Sequence, residues 1–144
     1  MGYHSRRIYQ IAALPLIIGA RGEVEVWLVT SRGSGRWIIP KGNPIHRIAP
    51  HEAAGQEAFE EAGLIGKVDE RPIGQFEFMR RRDGSDMICA VDVYLLKVER
   101  QLKKWPEIGQ RSVLRCDLKT AVSLVEPAGL ASLIGRQVDF LASA

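Results

Sequence analysis

Apolar and β-branched residues dominate residues 8–18 and 23–30, and Gly19-Ala20-Arg21-Gly22 separates them, a pattern that predicts two strands joined by a tight turn. The second run alternates, with Val24, Val26 and Leu28 on one face and Glu23, Glu25 and Trp27 on the other. After a polar loop at 31–36 comes a short apolar stretch, Trp37-Ile38-Ile39, stopped by Pro40; Lys41 and Gly42 begin another loop. Residues 73–80 and 87–98 read as strands flanking a turn at 81–86, a hairpin pattern. Between these β segments the period changes. Residues 50–62 predict a helix with Pro50 in its first turn, Glu52 near the positive end of the dipole and Gly63 as a left-handed C-terminal cap. Ala54, Ala58 and Ala62 share the side of it that should face inward. Beyond Trp105-Pro106-Glu107 a loop or short strand leads to helical patterns near 117–125 and 127–141.

A chain of 144 residues is near the commonest size for one domain and can bury a core without disulfides or structural metal. We therefore expect one domain over 1–144. With 46% apolar and 26% charged residues it sits in the globular class, far from the disordered one. Cys89 and Cys116 form no CxxC pair, so neither a disulfide framework nor a thiolate zinc site is suggested, and a reducing cytoplasm fits. The apolar run 11–20 is too short to span a bilayer and contains Pro15, so we expect neither a membrane span nor secretion. The net charge of +3 gathers in short clusters, Arg6-Arg7, Arg80-Arg81-Arg82 and Lys103-Lys104, which suit phosphate-rich ligands. RNA is permitted by this charge but not indicated.

Glu57, Glu60 and Glu61 stand at i, i+3 and i+4 in the last turns of the predicted helix, so their carboxylates share one face. Left alone, the arrangement is unfavourable. Like charges at this spacing repel by roughly 0.2–0.5 kcal/mol per pair, and each negative charge at a helix C-terminus opposes the macrodipole by roughly 0.3–1 kcal/mol. A solvated face with basic neighbours would relieve this; so would a hard divalent cation, because magnesium prefers carboxylate oxygen and leaves positions for water and substrate phosphate.

The context of these glutamates decides between the two. Trp37-Ile38-Ile39-Pro40-Lys41-Gly42 precedes the helix, and Gly55-Gln56-Glu57-Ala58-Phe59-Glu60-Glu61-Ala62-Gly63-Leu64 forms its end. This spacing resembles the Nudix box: a glycine, then a glutamate, then Arg-Glu, an aliphatic residue, any residue, Glu-Glu, any residue, Gly and an aliphatic residue. Gly42, Glu57, Ala58, Glu60, Glu61, Gly63 and Leu64 fall in register. Two positions depart, Ile48 standing for the first glutamate and Gln56 for the arginine. In the family those two groups brace the loop and orient a catalytic glutamate, so the brace should be replaced here, with Glu52 and His51 as candidates. The likeness extends over most of the chain and looks closest to the diphosphoinositol polyphosphate and diadenosine polyphosphate hydrolase branch, through Leu28-Val29-Thr30-Ser31-Arg32, Arg36-Trp37 and Trp105-Pro106-Glu107 with Gly109-Gln110-Arg111. Where that branch often has an aromatic pair before the next helix, this chain has Arg115-Cys116.

The resemblance implies a Nudix-type α/β/α sandwich with a mixed β-sheet, and a metal-dependent pyrophosphohydrolase. Its substrate would be a nucleoside-diphosphate derivative, a dinucleoside polyphosphate or a diphosphoinositol polyphosphate. Catalysis would fall to Glu57, Glu60 and Glu61. The metal, magnesium or alternatively manganese, would be held by Glu57 and Glu61 with the Gly42 carbonyl, and Glu60 would serve a second ion or place the water. Substrate phosphates would meet Arg32, Arg36, Lys41 and Arg111, with at least one of Arg80, Arg81 and Arg82 reaching in from the hairpin. Glu60 and Glu107 are candidates for the water-activating base. Two other readings stay open: a sensor that binds a phosphorylated metabolite without cleaving it, because of Ile48 and Gln56, and removal of diphosphate from an RNA 5′ end. The oligomeric state is open, a homodimer included. His4, His46 and His51 form no ligand pair, and we read them as structural or solvent-facing. Trp27, Trp37 and Phe59 read as core, and Trp105 as a residue near substrate.

Overall fold

A computed structural model describes residues 6–82 and 84–142. His4 lies outside the described residues. The strands are β1 (Arg6–Ile18), β2 (Val24–Thr30), β3 (Trp37–Ile38), β4 (Lys41–Gly42), β5 (Leu64–Arg82), β6 (Ser85–Gln101) and β7 (Val113–Asp117). The helices are α1 (Pro50–Ala62), α2 (Leu118–Leu124) and α3 (Ala128–Ala142). One sheet runs in the order β3-β2-β1-β6-β5, with β4 also on β1 and β7 also on β2. It is mixed: β1 and β6 are parallel from Arg6↔Met87 to Leu16↔Lys97, while the other pairs are antiparallel.

The two faces of β1 explain the layers. Ala12, Leu14 and Leu16 join Val26, Leu28, Val91 and Val93 under α2 and α3, while Ile11 and Ala13 join Trp27, Tyr94 and Leu96 under α1. The result is the expected α/β/α sandwich. On the α1 side the contact is made by small residues, Ala53, Ala54, Ala58 and Ala62, all fully buried, which lets the helix axis approach the sheet closely. The other face of β2, read as Glu23, Glu25 and Trp27, is also covered at its centre, since Trp27 is buried beneath α1.

Several boundaries differ from the sequence pattern. β5 starts at Leu64, directly after the helix cap, rather than at 73; its first half is broken by register shifts around Ile65/Gly66 and Val68/Pro72, where bulges absorb Gly66 and Pro72. Lys41 and Gly42 do not open a loop but pair with Ala12 and Ile11, and Pro40 accepts a bond from the Ala13 amide at 3.0 Å. This seats the motif glycine on the central strand. Phe59 is only half-buried and belongs to neither apolar cluster, and Trp37 is half-buried at the edge of the first. Among the described residues no helix is long and apolar enough to cross a membrane.

Candidate active site

α1 begins at Pro50 after an extended Ala49 and ends at Gly63, whose φ of 69° is the left-handed cap the sequence predicts. Its last carbonyls are not left to water. The Glu107 amide donates to the Glu60 carbonyl at 3.0 Å, Gln101 Nε2 to that of Ala62 at 3.2 Å, and the Leu102 amide to that of Gly63 at 2.8 Å. Trp105 covers the cap itself, so close that a Cβ on Gly63 would meet its ring at 2.5 Å. Trp105 is therefore a cap residue, and it does not line the cleft described below. One connection, 102–112, thus closes the helix end and carries Glu107 and Arg111 to the glutamates.

The carboxylates differ in setting. Glu61 is 3% exposed and Glu57 half-buried. Burial is the main cause that raises both above the ordinary carboxylate range, and Glu107 adds repulsion to each, while Arg111 pulls both back. The two lie close enough for a protonated Glu61 to donate a hydrogen bond to Glu57. Glu57 also faces the motif glycine: a Cβ at position 42 would run into its carboxylate. Glu60 points elsewhere and accepts from Gln56 Nε2 at 3.1 Å. The structure thus brings Gly42, Glu57 and Glu61 together and leaves Glu60 to one side. Among the described residues no three His, Cys, Asp or Glu side chains form a ready metal cluster.

Whether a cation fits this place can be judged from Glu61 Oε1. It lies 3.2 Å from Arg111 Nη1, an ion pair by distance, yet without hydrogen-bond alignment it counts as a buried oxygen with no partner. A buried carboxylate oxygen with an unmet lone pair, beside a second carboxylate and a glycine backbone, suits a hard divalent ion with oxygen ligands. The donor set fits the group.

Beside the glutamates opens a cleft of about 690 Å³. Arg32, Arg36, Lys41, Arg80, Arg81 and Arg111 line it with Ser31 and Ser34, and among the described residues Glu61 is the only acidic one in its wall. All four basic residues expected from sequence are present. The hairpin adds Arg80 and Arg81, which the sequence could not separate from Arg82 because its strand register there gives no direction. Arg32 donates to Gln110 Oε1 at 2.9 Å, and Arg36 is exposed. Lys41 donates to Gln10 Oε1 at 3.0 Å and lies 4.8 Å over the Phe78 ring; burial lowers its pKa, and Arg80 and Arg111 push the same way. Such a wall of cations is complementary to a phosphate-rich molecule.

Other candidates fall away. His46 is exposed and His51 half-buried, and neither lines the cleft. Among the described residues, Glu52 and His51 form no side-chain hydrogen bond or ion pair, so neither replaces the motif's missing brace. Arg111 and Glu107 do occupy such a place: Arg111 Nη2 donates to Glu107 Oε1 at 2.8 Å and Nη1 to the Thr30 carbonyl at 3.2 Å.

No family model matches the chain. It is 32% identical over 106 residues to Nudix hydrolase 12, mitochondrial, of Arabidopsis thaliana, an alignment covering 71% of this chain and 52% of that protein. It is 40% identical over 86 residues to diphosphoinositol polyphosphate phosphohydrolase 3-beta of Bos taurus, covering 59% and 49% respectively. The chain spans about half the length of the curated relatives it matches. Its fold is similar to that of a C. elegans Ap4A hydrolase in a binary complex, with a TM-score of 0.69 at 20% identity, covering 95% of this chain and 99% of that one.

Proposed function

Because this chain belongs to the Nudix hydrolase family, we propose that it is a divalent-metal-dependent pyrophosphohydrolase, cleaving a phosphoanhydride bond in a small, highly phosphorylated molecule. The observation that carries the reading is the pair of buried Glu61 and half-buried Glu57 against Gly42, at the edge of a cleft lined by cations. The substrate classes are nucleoside-diphosphate derivatives, dinucleoside polyphosphates and diphosphoinositol polyphosphates. Names of relatives support this choice: one acts on diphosphoinositol polyphosphate and a structural neighbour on Ap4A.

Glu57 and Glu61, with the Gly42 carbonyl, would hold magnesium, or manganese in its place. When bound, the ion supplies neutralising charge on the phosphate oxygens. The chain's own groups do the rest. Arg32, Arg36 and Lys41 bind the phosphates and fix the scissile bond against the glutamates, Lys41 from a half-buried position that its amide partner Gln10 keeps in line. Glu60, which accepts from Gln56 to one side of the Glu57–Glu61 pair, would serve a second ion or orient the attacking water. The free thiols Cys89 and Cys116 accord with a reducing cytoplasm.

Glu61→Gln keeps the size of the side chain and removes its charge. Turnover should fall by more than the roughly 10–100-fold typical of a residue that only supports a ligand, with the melting temperature little changed. Unchanged turnover at saturating magnesium would remove Glu61 from the site. Tight, metal-dependent binding of a phosphorylated ligand without product by the unmodified chain would favour the sensor reading that Ile48 and Gln56 raise.

A further inference from the structure

We propose that Arg111 is the positioning residue for the Glu57–Glu61 pair, supplying from outside the motif the arginine that position 56 lacks. The inference rests on the metal-site reading above and assigns Arg111 away from substrate binding.

Gln56 is exposed and its side chain donates to Glu60, so among the described residues α1 itself offers Glu61 no cationic partner. Arg111 does so from the opposite wall. Its side chain is 9% exposed, and its guanidinium faces three oxygens at once: Glu61 Oε1 at 3.2 Å, Glu107 Oε1 at 2.8 Å and the Thr30 carbonyl at 3.2 Å. A planar fork can hydrogen-bond Glu107 and the Thr30 carbonyl from separate nitrogens while its charge stays beside Glu61; an ammonium is a point charge.

The arm that presents Arg111 is anchored at both ends. Before it, the Glu107 amide is tied to the Glu60 carbonyl, and a turn closes from the Gln110 amide to the Glu107 carbonyl at 3.0 Å. After it, Ser112 and Thr30 exchange two bonds, the Ser112 amide to Thr30 Oγ1 at 2.9 Å and the Thr30 amide to the Ser112 carbonyl at 3.1 Å. A guanidinium held this way cannot follow a substrate. Glu61 and Glu107 both lie beside it, and its Nε is buried. Arg32 and Arg36, by contrast, are exposed side chains on a loop.

Two charge-conserving substitutions test the role through Mn2+ binding measured without substrate by electron paramagnetic resonance. Arg111→Lys keeps the charge and loses the fork; Glu107→Asp keeps the charge and draws the second anchor back by one methylene. In folded protein both should weaken Mn2+ binding, the first by about 10–100-fold, and both should lower kcat with KM for the cleaved substrate changed far less. Wild-type Mn2+ affinity in both variants with a raised KM in Arg111→Lys overturns the proposal and returns Arg111 to substrate binding. A wild-type chain that binds no Mn2+ overturns the metal-site reading itself. If Arg111→Lys fails to fold, Glu107→Asp alone decides: weakened binding supports the positioning role and unchanged binding overturns it.

Discussion

Replacing Gly63 with alanine should destabilise the protein by about 2–5 kcal/mol, through two separable effects. An L-residue in the left-handed conformation, φ 69° here, costs roughly 1–2 kcal/mol. The new methyl would also meet Trp105 at 2.5 Å from Cε3 and 2.8 Å from Cδ2. That ring cannot simply swing away, because the neighbouring Leu102 and Glu107 amides are bound to the helix end. Overpacking of this kind costs about 1–3 kcal/mol. At roughly 2–4 °C per kcal/mol for a domain of about this size, the melting temperature should fall by on the order of 5–15 °C. Gly22→Ala is the control: its φ is 83° and nothing lies within 4 Å of the added Cβ, so only the backbone cost of about 1–2 kcal/mol should appear. Thermal unfolding of both variants followed by circular dichroism in chelator gives the comparison. Equal shifts would show that Trp105 does not sit on the cap, and the closure of the helix end by the 102–112 connection would lose its support.

Other substitutions and conditions probe the same site. Ala58→Leu adds bulk to a fully buried face against Ile11, Leu64 and Leu96 and should destabilise by about 1–3 kcal/mol in denaturant titration; full tolerance would mean that α1 does not lie closely on the sheet. Arg36→Ala, at an exposed cleft position, should leave the melting temperature unchanged and raise KM, more for more highly phosphorylated substrates and less at high salt; a KM indifferent to substrate charge would remove it from the cleft's function. The pH dependence has a definite sign. Burial raises Glu61 from an ordinary value of 4.5 to about 8 and raises Glu57 as well, so between those values the folded chain binds more protons than the unfolded one. Stability in chelator should therefore fall as pH rises across that window, and saturating magnesium should flatten the slope; a melting temperature in chelator that is constant with pH contradicts it.

What the sequence revealed was local. Pro50, the alanine face, the glutamate spacing and Gly63 are set within one helix, where period and capping rules act over a few residues, and the structure keeps them. What it concealed depends on distant pairing. Residues 64–72 carry Gly66, Asp69, Glu70 and Pro72, a poor strand pattern, yet β6 supplies a partner and bulges absorb the misfits. Lys41 and Gly42 become a strand only because β1 lies beside them. The environment of Arg111 was out of reach for the same reason: a basic residue on a loop beside the motif reads as a phosphate ligand until Glu61, Glu107 and Thr30 are seen around it. Trp105 reads as a residue near substrate until the helix end beneath it is visible.

The most direct test is release of phosphate or nucleotide from diadenosine polyphosphates, nucleoside-diphosphate derivatives, diphosphoinositol polyphosphates and triphosphorylated RNA, each with magnesium and with chelator. Cleavage of at least one of the small phosphorylated classes, present with magnesium and absent with chelator, is the expected result. Folded protein that binds these molecules and cleaves none of them, or cleaves them equally in chelator, would contradict a metal-dependent pyrophosphohydrolase built on Glu57 and Glu61.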